Sequence, residues 1–165
     1  MKKLLYLFLA LLLPGLIFIF LKYAGKNEFD IPVYYEQGVD NPPSDCEQIY
    51  ARPYHLPETM LHFTSPKVPA ANVLVFSNDD LNFAKLKSEI DDEFGQGTVW
   101  LEDAHTLMKD SLKYEQWRKC IFLIRDPWQT VLFDELGRIR GYYDPRLREE
   151  QDRLRVELKI LLNKY

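Results

Sequence analysis

The side chains able to do covalent or metal chemistry are few and scattered. Cys46 and Cys120 are the two cysteines of the 165-residue chain, and 74 positions separate them. No C-x-x-C pair exists to make a zinc ribbon or a dithiol couple. In an oxidising compartment the two could pair and pin the segment around Cys46 to the body. Cys120, however, opens an apolar run, where small buried free thiols are common, and a free Cys120 is the expectation. His105 and Met108 are spaced i, i+3, and His55, Met60 and His62 cluster earlier. Imidazole and thioether could together hold copper(I) weakly. Such numbers of histidine and methionine fall at chance level, so solvated histidines and core methionines are expected, with no metal and no cofactor. Asp79-Asp80 stands where a helix should start, and Asp91-Asp92-Glu93 near its end. Neither run has calcium-loop spacing, so both read as charged surface. Asp126-Pro127-Trp128 is the most distinctive trio. It is either a docking surface with Trp128 as its anchor, shared with Asp79, or a loop proline beside a packed tryptophan.

The elements that position these residues follow from hydropathy and turn chemistry. Leu4–Leu21 is an 18-residue run without a charge. At 1.5 Å per helical residue it covers roughly 27 Å, close to a bilayer's hydrocarbon thickness. It lacks a small-residue cleavage site, so residues 1–23 are expected to be an uncleaved membrane anchor. Lys2 and Lys3 favour a cytoplasmic amino terminus and an extracytoplasmic or periplasmic body. Beyond residue 26 the chain carries 17 basic and 25 acidic side chains, an excess of acid that argues against a nucleic-acid partner. Residues 24–53 form an extended linker broken by Pro32, Pro42, Pro43 and Pro53, with enough aromatic residues for part of it to lie on the body.

Residues 54–165 form the globular domain. Asn72–Ser77 reads as a buried central strand, followed by a helix to about Phe94 with Phe83, Leu86, Ile90 and Phe94 on one face. Thr98–Leu101 is a second strand, residues 103–118 a ragged helix, and Cys120–Ile124 a third apolar strand expected to pair with the first. Trp128–Asp134 and Arg138–Tyr143 make a hairpin about Gly137, and Leu147–Leu162 is the closing amphipathic helix. Strands alternating with helices, then a hairpin and a helix, predict an α/β sandwich of the thioredoxin type with a mixed sheet.

The stretch LFDELGRIRGYYDPRLREEQDRLRVELKILL closely resembles the carboxyl end of the SCO/SenC family, membrane-anchored thioredoxin-fold proteins. Leu132, Asp134, Gly137, Ile139, Arg140, Gly141, Tyr143 and Asp144 carry the likeness, and GKNEFDIPVYY resembles the segment after the anchor in some members. The family's chemistry rests on a C-x-x-x-C pair after the first core strand and a histidine before the hairpin, which bind copper or, as a dithiol, do redox work. Here Ser77–Phe83 contains no cysteine, and the histidine position falls on Asp126. In thioredoxin folds a proline, often cis, precedes the hairpin strand beside the active site, and Pro127 stands near that place. The resemblance therefore implies a fold and a location while withholding the activity.

The expected function is a non-catalytic, membrane-anchored protein that binds a protein partner, near the family's setting of respiratory-complex or metal-centre assembly. The candidate docking residues are Asp79, Asp126, Pro127 and Trp128. Two alternatives stay open, a thiol oxidoreductase acting through Cys120 and a weak copper carrier using methionine and histidine.

Overall fold

Short apolar runs bounded by turns build one mixed sheet. The computed structural model describes residues 3, 12–19, 30–46, 49–61, 69–77 and 79–162. After a single-turn helix α1 (Glu58–Leu61) come β1 (Ala71–Val75), α2 (Asp80–Phe94), β2 (Val99–Asp103), α3 (Ala104–Leu107) and α4 (Ser111–Gln116). A π-helical turn over Trp117–Ile121 leads to β3 (Thr130–Asp134), β4 (Ile139–Tyr143) and α5 (Arg148–Leu161). The strand order is β2-β1-β3-β4, with β1 parallel to β2 and the remaining neighbours antiparallel. Val73 sits opposite Leu101 on one side and Leu132 on the other, so β1 is interior, as its unbroken apolar run predicts.

Alternation along the strands divides the core into two layers. Val73, Val75, Leu101, Leu132 and Tyr143 face Leu86, Ile90 and Phe94 of α2 and Leu154 and Leu158 of α5. Leu74, Phe76, Val131, Phe133, Ile139 and Tyr142 face Tyr54, Leu56, Met108 and the run Phe122–Ile124. The second face is therefore covered by irregular chain rather than by long helices. The arm before α1 forms part of that cover. Tyr34 N donates to Ile139 O at 2.8 Å, Leu56 N to Gly137 O at 2.8 Å, and Arg140 Nη2 to Ile31 O at 2.6 Å. The linker expected over 24–53 is thus fastened to the body at Ile31 and Tyr34.

Two expectations fail beyond β2. Residues 103–118 are not one helix. Asp103 caps α3 through His105 N at 3.1 Å, Asp110 caps α4 through Leu112 N at 3.0 Å, and Met108 between them is extended. Each aspartate starts its own helix because its side chain competes for the backbone donors. Cys120–Ile124 is not a strand either. It finishes the π-helical turn and then runs irregularly, with Leu123 at φ +54°. Three tyrosine hydroxyls hold its successive carbonyls: Tyr50 to Cys120 O at 3.0 Å, Tyr54 to Ile121 O at 2.7 Å and Tyr142 to Phe122 O at 2.8 Å. Phe122, Leu123 and Ile124 stay buried without a sheet neighbour because these bonds satisfy the polar backbone.

The same turn corrects the expectation of a free Cys120. With Tyr50 and Tyr54 laid along it, the arm reaches Cys120, and Cys46 and Cys120 are joined in a disulfide with Cα atoms 5.6 Å apart. Chain entropy makes a cross-link of this span worth roughly 4 kcal/mol of stability. Towards the amino terminus, residues 12–19 are helical with exposed side chains. Among the described residues no helix is long and apolar enough to cross a membrane, and the anchor expected over Leu4–Leu21 falls largely outside them.

Candidate functional site

The carboxyl ends of parallel strands are where an α/β sheet opens, and here they open into a cavity. Past Val75 the chain stays in register: Phe76 N donates to Gln129 O at 2.6 Å and Gln129 N to Tyr143 O at 3.0 Å. Phe76, Ser77 and Gln129 thereby line a cavity of about 930 Å³, completed by Asp79, Leu81, His105, Met108, Tyr114, Arg118 and Arg146. The His105 ring stacks on Tyr114 with centroids 4.1 Å apart. Burial raises the Tyr114 phenol above its ordinary value of 10; Arg118 opposes that and the charges of Asp103 and Glu115 reinforce it, so the group is a neutral hydroxyl.

Asp79, Glu115, Arg118 and Arg146, four of the charged groups lining the cavity, are already engaged. Asp79 caps α2, its Oδ1 accepting from Asn82 N at 3.1 Å and its Oδ2 from Asn82 Nδ2 at 2.5 Å. Arg118 donates to Asp126 at 2.5 Å, and Glu115 pairs with Lys119 at 3.3 Å. Arg146 forks onto both oxygens of Asp144 at 2.8 and 2.7 Å. Those bonds hold the Asp144 carboxyl below its ordinary value, against the opposing effect of burial. Carboxylates committed in this way are poor proton acceptors for a reaction.

The candidate docking residues divide between two recesses. Asp79 lines the cavity, and Asp126 is fastened to its rim through Arg118. The Asp126–Pro127 peptide is cis, and the turn is closed by Trp128 N donating to Arg125 O at 3.0 Å. Trp128 turns away, 38% exposed, its ring 6.3 Å from that of Tyr142. It lines a pocket of about 320 Å³ with Tyr34, Tyr35, Arg125 and Arg153.

The remaining candidates are dispersed. His105 and Met108 do line one cavity, but Met108 is buried in the core. His55 and Met60 lie on the arm and α1, and His62 falls outside the described residues. Among the described residues, no three His, Cys, Asp or Glu side chains gather closely enough to hold a metal. At the end of α2, Glu93 pairs with Lys159 of α5 at 2.5 Å, so that acidic run fastens two helices. Sequence reasoning missed Leu81, Arg118 and Arg146. Leu81 was visible as an apolar residue in the first turn of a helix, and it stands 85% exposed at the cavity mouth.

Comparison with protein-family models, with curated proteins and with solved structures gives no match to this chain.

Proposed function

We propose that this protein is a membrane-anchored, non-catalytic member of the thioredoxin type, similar to SCO/SenC proteins but without their copper and thiol ligands. Its task is to receive a protein partner at the end of the sheet that carries Asp79 and Asp126. One observation carries the reading. The chain's two thiols are bonded to each other, and the cavity where a thioredoxin-type site would lie is lined by neither. Thiol exchange at that cavity would need a thiolate, and copper(I) there would meet no thiolate, only the His105 imidazole and the buried Met108 thioether among hydroxyl, amide and carboxylate groups. The strand order β2-β1-β3-β4, with both long helices on one face, supports the thioredoxin type. The uncharged Leu4–Leu21 run supports the anchor, which keeps the body extracytoplasmic, a compartment compatible with the disulfide.

An exposed leucine and an exposed tryptophan near one end of the molecule are the kind of anchors partners bury. Photo-crosslinking residues placed at Leu81 and Trp128 in the full chain test the docking face, with Val156 on α5 as the control. A partner of one defined mass is expected from the first two positions and not from the third. Equal adducts from all three, or adducts from Val156 alone, would overturn the assignment of this face.

A further inference from the structure

Beyond the docking reading, we propose that the Cys46–Cys120 disulfide is itself a site of thiol–disulfide exchange, reducible in the folded protein by an external dithiol. Its reduction would untie the segment 40–46. The bond is accessible from the side of Cys46, Cys120 itself being buried. Both cysteines line an open surface pocket of about 430 Å³, shared with Pro43, Asp45, Leu112 and Lys119, and Cys46 is only half-buried. It also bears most of the attachment of its segment. Among the described residues, the one hydrogen bond from 40–46 to the body is a long contact, Arg125 Nη2 to Asn41 O at 3.5 Å. The bonds of Ser44 to Asp45 and of Cys46 N to Pro43 O are internal to the segment. By contrast, the flanking chain is held independently, by Tyr34, Tyr50, Leu56 and Arg140. Breaking the disulfide therefore releases a loop and leaves the fold.

The exchange balances as a two-electron transfer. A thiolate of the dithiol attacks Sγ of Cys46, the Sγ–Sγ bond breaks, and Cys120 leaves as a thiolate that takes a proton from solvent. The second thiol of the reagent then attacks the mixed disulfide, closes its own disulfide and frees Cys46 as a thiol. The released segment holds Asn41 and Pro43, which wall the pocket occupied by Arg118 and Asp126. Reduction thus removes one wall beside Arg118, whose partner Asp126 is already exposed.

The test uses the full chain in detergent micelles. Dithiothreitol is added without denaturant, samples are quenched with N-ethylmaleimide, and alkylated cysteines are counted by intact mass. The expected result is two labels appearing at a rate within about tenfold of that in the urea-unfolded chain, with the circular dichroism unchanged. Labelling about a thousandfold slower, or only together with loss of the circular dichroism signal, would overturn the proposal. An acid-specific protease supplies the second readout. Reduced protein should be cut at Asp45 and oxidised protein should resist, whereas Cys46→Ser should be cut with or without reductant. A reduced protein as resistant as the oxidised one would show that other contacts hold the segment and would refute its release. Thiol access at Cys46 and crosslinking at Leu81 are separate measurements, so either can fail without the other.

Discussion

The hydroxyl of Tyr142 on β4 donates to the carbonyl of Phe122 at 2.8 Å, inside the core. Burial, together with the neighbouring phenols Tyr35, Tyr54 and Tyr34, raises the Tyr142 hydroxyl well above its ordinary value, so it stays protonated and a donor. This bond and those of Tyr50 and Tyr54 let an apolar stretch cover the sheet without joining it. Tyr142→Phe keeps the ring and strands the Phe122 carbonyl, at a cost of about 1–3 kcal/mol. Urea unfolding of the variant measures it. An unchanged midpoint would mean that the carbonyl finds another partner.

The hairpin residues from which the resemblance is read have structural duties. Asp134 Oδ1 accepts from the amides of Leu136 and Arg138, both at 3.0 Å, and Oδ2 meets Arg138 at 2.7 Å and the buried Arg140 at 3.5 Å. Gly137 takes φ +73° with the backbone of Leu56 against it, and a Cβ on Gly141 would strike the Tyr143 ring. Asp134→Ala leaves buried Arg140 with the exposed Asp30 and the carbonyl of Ile31, frees the hairpin amides of Leu136 and Arg138, and should cost about 3 kcal/mol in chemical denaturation. A loss below about 1 kcal/mol would show that the hairpin does not depend on this carboxylate.

Cys46→Ser with Cys120→Ser removes the cross-link. The double variant should keep the native circular dichroism and lose roughly 4 kcal/mol, a melting temperature about 10 °C lower. A melting curve superimposed on that of the oxidised protein would count against any stabilising role.

Acid should find Asp144. Its folded value lies below the ordinary 3.8, because the Arg146 guanidinium bonds its carboxylate. The unfolded chain therefore takes up the proton first as pH falls. This stabilisation is complete above about pH 4 and is lost as pH drops through the folded value. Asp144→Asn should be less stable than the parent at pH 7 and lose less on going below pH 4. Parallel stability profiles for the two proteins would contradict the linkage.

The parts of the fold legible in the sequence were those with one periodicity. β1, α2, the hairpin and α5 each show a clean apolar run or face, and the structure places them close to the expected bounds. Cys120–Ile124 was illegible because five apolar residues suit a strand or a buried turn equally. The tyrosines that decide between them lie 67 and 70 positions away, and 20 positions away for Tyr142. The disulfide was hidden for the same reason, since it depends on where that turn sends Cys120. At the candidate site, Asp79 was readable from its capping position. The separation of Trp128 from Asp79 was not, because the turn at Pro127 directs the two side chains into different recesses.

Copper(I) titration of the full chain in detergent, against a chromogenic chelator that competes for the metal, tests the central claim most directly. The account predicts that the chelator keeps all of the copper, since the cavity offers no thiolate and both cysteine sulfurs are bonded to each other. Withdrawal of one equivalent by the oxidised protein, abolished by His105→Ala or Met108→Leu, would contradict it and establish a copper carrier.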